Sequence, residues 1–454
     1  MPPSPRCKTS LISIIGTTGV GKSKLSISLC RALNGEVING DSMQVYRGLD
    51  TMTNKHPLVE RMGIEHHLLG HITDRSAQYT VKQFESEATF AVADITNRGK
   101  CPVVVGGTHY YIQSFLFDGM TVGGSEDSQF EKRLTEEDKE FIKAAETRDL
   151  FDRLKFLDPV LAEKFHPRDR RKITTALSIC MATGRRASDI YSEQRQQKQI
   201  NDNARYRTLI FWLYCAPDVL DVRLDKRVDD MVKHGDLLSE VKEMSDLYES
   251  IDPAPSTEMG IWQVIGFKEF LSYIHSKDAI DRNSGLEEMK RATRKYADTQ
   301  VRWIRKKLLD AVAEAPESVT LVLLDATDLE KWDDAVDAPA IAIARDFLRG
   351  TSPLTTDRRA PAGLAHLIEP VAASTNRLKQ NPAEWKHYEC AMCANDDGES
   401  FVCIGEASWK AHVQGRRHRQ KLKRMRERET YERWKATQTE KADHEEGIFR
   451  DVHR

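Results

Sequence analysis

Residues 16–23 read G-T-T-G-V-G-K-S, a fit to G-x-x-x-x-G-K-S. Gly16 and Gly21 let the backbone curl so that successive N–H groups face one anion. Lys22 adds a point charge, and the Ser23 hydroxyl stands where it can hold Mg²⁺. Alone, this loop favours a kinase or an ATPase. Asp41 follows in "VINGDSMQVYRGLD". It suits a general base or a magnesium carboxylate as well as a plain helix cap. A third constellation lies far downstream, where Cys390-x2-Cys393 and His412-x5-His418 supply two thiolates and two imidazoles. Four such donors complete a tetrahedral zinc site.

The elements that must position these groups are legible as periodicity. Leu11–Ile15 is an apolar run ending on the loop, and Ser23–Leu33 has a helical pattern that opens on it, so the helix's positive end meets the anion. Glu36–Asn39 is a second strand, which sets Asp41 at the carboxyl edge of a sheet, where ligands of such sheets bind. Val81–Arg98 reads as a helix, and Cys101–Val105 as a strand covered on both faces. From about Thr121 to Arg205 the strands cease and the chain is charged and helical, with Asp158-Pro159 as an N-cap and first-turn signal. Strands return at Thr208–Cys215 and Val319–Thr327. The expected fold class is therefore α/β: a P-loop NTPase-like parallel sheet with helices on both faces, a helical insertion, and a C-terminal Cys2His2 finger. The expected divisions are 8–120 and 206–348 for the two parts of the core and 121–205 for the insertion. A linker at 349–383, a finger at 384–425 and a charged tail at 426–454 follow.

Composition narrows the classes. The 454 residues carry 68 Lys and Arg against 70 Asp and Glu, so any affinity for nucleic acid must be local. Eight cysteines, five of them isolated in the first 215 residues, suit a reducing compartment. No apolar run reaches the ~20 residues of a membrane helix. The cytoplasm is the expected location; the basic N-terminus, without an acid before Glu36, leaves a mitochondrial address open, and a nuclear pool is left open too. Basic residues cluster in Lys290–Lys307, with eight Lys or Arg and one acid, and in "GRRHRQKLKRMR" from Gly415, with seven and none. Taken singly, Lys290–Lys307 is a solvated helix face, whereas the stretch from Gly415 suggests contact with an RNA backbone, a protein partner being the alternative. Cys403 reads as a small apolar strand residue. His66, His67 and His109 lack ligand spacing and read as structural or positioning residues.

Further stretches appear in a fixed order: "HHLLG" (66–70), "YTVKQFESEA" (79–88), "VVVGGTHYYIQSFL" (103–116), "HPRDRRKITTALSI" (166–179), "RLDKRVDDMV" (223–232), "GIWQVIGFKEF" (260–270) and "TRKYADTQVRWIRKK" (293–307). With the loop and "DSMQVYRGLD" they closely resemble the tRNA dimethylallyltransferases (tRNA isopentenyltransferases) over most of residues 10–345. "GGTHYY" resembles the eukaryotic branch, whose members often carry a matrin-type finger. Bacterial members often have G-P-T-A-S-G-K, a departure that still retains Thr18, Gly21, Lys22 and Ser23.

The resemblance implies that the phosphate is a leaving group. The family moves a dimethylallyl unit from dimethylallyl diphosphate to N6 of adenosine 37 in tRNA. It implies Asp41 as general base, Thr108 as a channel residue (alone it would be a helix cap) and Arg223 as a diphosphate contact. Arg227, one turn on, is the weaker candidate. The diphosphate cradle is then Gly16, Thr18, Gly19, Val20, Gly21, Lys22 and Ser23 with Mg²⁺. Expected tRNA contacts are Asp41, Ser42, Met43, Gln44, Thr108, Arg168, Arg170, Arg171, Lys172, Arg294 and Arg302, the insertion included. A monomer is expected by the same resemblance. Two other readings stand beside it. One is an adenylate isopentenyltransferase making cytokinins, which would need neither basic helix nor finger. The other is a nucleic-acid-binding P-loop NTPase, against which no second carboxylate strand of the usual ATPase kind is evident.

Overall fold

The computed structural model describes residues 8–118, 133–200, 203–233, 235–252, 255–257, 259–350, 359–369, 385–394 and 400–451, without side chains for 194–200 and 435–451. Two compact units result: Met1–Val122 with Gln197–Thr375, and Gly123–Gln196 with Asn376–Arg454.

The first unit is built on a six-stranded parallel sheet in the order β3-β2-β4-β1-β5-β6. Its strands are β1 (Ser10–Gly16), β2 (Gly35–Asn39), β3 (His66–His67), β4 (Cys101–Val105), β5 (Arg207–Tyr214) and β6 (Val319–Asp325). Five match the apolar runs of the sequence to within two residues at each end. The two-residue β3 carries no apolar run and was not expected. β1 lies between β4 and β5, in register Ile12↔Val103 and Ile12↔Leu209. Its side chains alternate between two cores: Leu11 and Ile15 join one, Ile12 and Ile14 the other. All four are fully buried. That double burial explains why the strand reads as apolar without alternation.

Helices α1 (Lys22–Leu33), α2 (Val81–Asn97) and α3 (His109–Leu116) connect the first strands. α2 starts at a capping box, in which the Thr80 hydroxyl accepts from Gln83 N and the Gln83 side chain accepts from Thr80 N.

The second unit begins with α4 (Glu136–Ala144), α5 (Thr147–Leu157), α6 (Pro159–Lys164), α7 (Arg170–Thr183) and α8 (Ala187–Ile200). Leu150, Leu154, Ile173, Leu177 and their neighbours give it a core of its own. Asp158 caps α6, its carboxylate accepting from Leu161 N at 3.1 Å with Pro159 in the first turn, as the sequence predicts. The chain returns to the first unit in β5, followed by α9 (Pro217–Lys233), α10 (Leu237–Glu249) and α11 (Ala279–Trp303), and α11 runs on into a π-helical turn, Ile304–Leu308. The second unit resumes with the antiparallel pair β7 (His387–Cys390) and β8 (Phe401–Ile404), then α12 (Glu406–Gln414) and α13 (Arg416–Asp451). Among the described residues no helix is long and apolar enough to cross a membrane.

Candidate active site and metal centre

The phosphate loop runs from the end of β1 to the start of α1, as the sequence requires. Gly21 takes φ 88°, and a Cβ there would sit 2.5 Å from the Trp332 ring, so both backbone and space demand glycine. Lys24 lies over the same indole, 4.6 Å from its centroid. Two loop amides are already engaged. Gly16 N–H donates to His109 Nε2 at 3.3 Å, and Thr18 N–H donates to Gln300 Oε1 at 2.8 Å. Lys22 Nζ donates to Thr17 O at 2.6 Å.

Asp41 follows β2 at the carboxyl edge of the sheet. Its Oδ1 accepts Met43 N–H at 3.0 Å, and its own N–H donates to Asn39 Oδ1 at 3.1 Å. Thr108 Oγ1 accepts Ser42 N–H at 3.0 Å and lies 3.1 Å from the Ser42 hydroxyl, tying the start of α3 to the Asp41 loop. Between them sits Gly107, where a Cβ would meet Gln300 Nε2 at 2.6 Å and Asp41 Oδ2 at 3.2 Å. Gln300 Nε2 donates to Gly107 O at 2.9 Å. One buried amide from α11 therefore braces both the phosphate loop and the turn that carries Thr108.

The phosphate loop, the Asp41 loop and residues of α9 and α11 line one cavity of about 530 Å³. Thr18, Gly19, Gly21, Lys22 and Ser23 form one wall, and Asp41, Ser42, Met43 and Gln44 another. Thr293, Tyr296 and Gln300 project from α11, and Arg227 and Met231 from α9. Burial governs the charges. It holds Asp41 above the ordinary carboxylate range, with Met43 N–H and Lys22 opposing. It pulls Lys22 down to about 8, with Asp41 opposing. His109 falls to about 3 through burial and the nearby Lys22 charge, so at neutral pH it is an uncharged acceptor for Gly16 N–H. The expectation that His109 is a positioning residue fits this contact. His67 bonds Glu36 and His66 bonds Ile64 O, contacts that are likewise structural.

The two arginines of α9 are placed differently. Arg223 does not line the cavity; its guanidinium donates to Ala326 O and Thr327 O at 3.2 and 3.1 Å. Arg227 lines it, with Nε and Nη1 buried and without a protein partner. Burial lowers its pKa to about 10.

The residues expected at tRNA divide. Asp41–Gln44 line the cavity; Thr108 bonds to Ser42 at its edge. Arg171 and Arg302 are exposed. Arg170 is spent on the fold, donating to Ala145 O at 2.7 Å and Ile142 O at 2.9 Å at the end of α4. Arg168 donates to Ser400 O at 3.0 Å. Lys172 pairs with Asp169 at 2.6 Å, and Arg294 pairs with Asp225. Gln300 is not evident in the sequence as a site residue, and Tyr296 stands out there only as an aromatic within the basic stretch. The signal was available: Met289, Thr293, Ala297 and Gln300 repeat at helical spacing along the buried face of an otherwise basic helix.

In the second unit, one donor atom from each of Cys390, Cys393, His412 and His418 lies within 4.8 Å of the others. Cys393 Sγ is 3.4 Å from His418 Nδ1, which is 3.2 Å from His412 Nε2. Two soft thiolates and two imidazoles so close together fit a tetrahedral Zn²⁺. Cys403 stands in β8 opposite Tyr388, outside this group, as expected. In the finger, a partly exposed Phe401 stacks on His412 at 4.2 Å and Tyr388 stacks on Trp409 at 5.5 Å.

The family model described as IPP transferase matches residues 44–307. The tRNA dimethylallyltransferase of Saccharomyces cerevisiae is 40% identical, over 95% of this chain and 96% of its own. That of Homo sapiens is 32% identical, over 92% of this chain and 86% of its own. A crystal structure of a eukaryotic dimethylallyltransferase acting on tRNA superposes with a TM-score of 0.78 at 40% identity, covering 94% of this chain and 100% of that one.

Proposed function

From the premise that this chain belongs to the IPP transferase family, we propose that it transfers a dimethylallyl group from dimethylallyl diphosphate to N6 of adenosine 37 in the tRNA anticodon loop. The observation that carries the reading is the single cavity in which the phosphate loop, a half-buried carboxylate and an unpaired arginine meet.

An exocyclic adenine amine is a poor nucleophile, because its lone pair is conjugated with the ring. It attacks C1 of the dimethylallyl group, the N6–C1 bond forms, and the C1–O bond breaks with its electron pair leaving on diphosphate. The spare N6 proton goes to Asp41, whose raised pKa makes it a better base than an exposed carboxylate. Arg227 and the amides of the phosphate loop receive the departing charge, and Lys22 adds its own when protonated. Ser23 would hold Mg²⁺, which would supply further charge neutralisation on the diphosphate. Thr18 N–H exchanges its bond to Gln300 for the anion. The base must leave its stack to reach this cavity, as bases modified inside folded nucleic acids do. The converged thiolates and imidazoles support Zn²⁺ in the finger, where it would stabilise a segment too small to fold on its own core.

The test is direct. Protein, dimethylallyl diphosphate, Mg²⁺ and tRNA are incubated, and the tRNA is digested and weighed. A mass gain of one dimethylallyl group on adenosine 37 supports the reading; ATP consumption with no prenylated tRNA refutes it.

A further inference from the structure

The basic motif His166–Lys172 and the finger meet within the second unit. His387, on the strand that ends in the zinc ligand Cys390, has its Nε2 2.9 Å from Glu163 O and its ring stacked on Phe151 at 6.0 Å. From the insertion's side, His166 Nε2 lies 3.2 Å from Val402 O. Arg168 N–H donates to His166 Nδ1 at 3.2 Å, so Nδ1 is the acceptor and Nε2 carries the proton given to Val402. Arg168 Nη2 donates to Ser400 O at 3.0 Å. Lys164 lies over the Trp385 ring at 4.0 Å. Val402 in turn pairs with Glu389, beside Cys390.

We propose that the finger acts as a zinc-dependent brace for the insertion's basic loop, with His166 and Arg168 as positioning residues that hold Arg171 and Lys172 in place for RNA phosphates. The physical chain is short. Bound zinc would fix Cys390 at the end of β7, β7 sets the register of β8, and the chain presents the carbonyl of Ser400 just before β8 and that of Val402 within it. A four-residue strand pair has no stability of its own without the metal. The two carbonyls satisfy the side chains on either side of Pro167, immediately before Asp169 caps α7. Arg171 and Lys172 stand in the first turn of that helix. Zinc therefore acts on RNA affinity through the insertion, in addition to any contact made by the finger itself. The RNA part of this inference rests on the proposed function; the brace does not.

The test uses the full-length zinc-loaded protein. Chelation of zinc should speed amide deuterium exchange across residues 160–175 about tenfold or more, as local protection is lost. Arg168→Ala and His166→Phe should keep their zinc content and raise KM for tRNA about 3- to 10-fold, the size of one lost hydrogen bond. Combined with Cys393→Ser, either variant should add nothing, because all three break one path. Unchanged exchange at 160–175 after chelation overturns the proposal. So do losses that multiply in the double variants, which would mean that finger and motif touch RNA separately. If the wild-type protein prenylates no tRNA, the proposed function falls, while the exchange experiment still decides the brace.

Discussion

Asp41→Asn is the sharpest perturbation of the proposed chemistry. The amide is nearly isosteric, and its Oδ1 can still accept Met43 N–H, so the loop between β2 and β3 should keep its shape. What disappears is the only proton acceptor the mechanism places at N6. General-base catalysis contributes ~10²–10⁴ in rate, or ~3–5 kcal/mol at 1.36 kcal/mol per decade. Single-turnover transfer with saturating tRNA and dimethylallyl diphosphate should slow by that factor, while tRNA affinity stays within about threefold because the phosphate contacts are untouched. The pH profile adds a second signature. Burial raises Asp41, so the acid limb of wild-type activity should lie above the ordinary carboxylate range. In the variant that limb should vanish. A single-turnover rate within threefold of wild type, or an acid limb that survives the substitution, would refute the assignment.

Other outcomes follow from the same geometry. Arg227→Gln should raise KM for dimethylallyl diphosphate ~10- to 100-fold, the size of a charge-assisted hydrogen bond, and more than Arg223→Gln does; steady-state kinetics on both variants decide the ranking. His109 sits well below its unfolded pKa, so the stability it contributes is present above pH ~6.5 and is lost as pH falls towards 3. His109→Gln should flatten that part of a denaturant-stability profile against pH. Glu36 is buried at the opposite end of β2 from Asp41, bonded by Arg98, Lys100 and His67, which hold its carboxyl well below the usual range. Its stabilisation is present above the ordinary carboxylate pKa and fades as pH falls through the depressed value. Glu36→Gln should cost ~1–3 kcal/mol by urea titration and leave transfer kinetics unchanged.

How far the sequence reached can be judged from particular residues. The strands were legible because parallel strands covered on both faces are apolar throughout, and the phosphate loop because its geometry dictates its glycines. β3 was invisible: two half-buried histidines bonded to Ile64 O and Glu36 leave no apolar trace. Arg223 and Arg227 lie one turn apart, and composition does not say which of them turns inward. The spacing Leu220, Leu224, Arg227, Met231 does place Arg227 on the buried stripe, a pattern available in advance. Arg168 and Arg170 were expected at RNA through the resemblance of their motif to a tRNA-contacting stretch of the family. Their backbone-carbonyl partners come from residues 25 and 232 positions away, which no local pattern reveals.

The placement of β1 between β4 and β5 bears on synthesis. When the ribosome has finished the front third, the nascent chain already holds the full phosphate motif, Asp41 and Thr108. Yet one long edge of β1 still awaits Arg207–Tyr214, and the Trp332 ring that packs on Gly21 is more than three hundred residues away. An open apolar edge is the kind of surface that chaperones shield and that pairs wrongly with other chains. The insertion, with a core of its own, must be translated during that wait. A fragment ending before residue 207 would therefore contain every motif of the loop and aggregate before it could bind a phosphate.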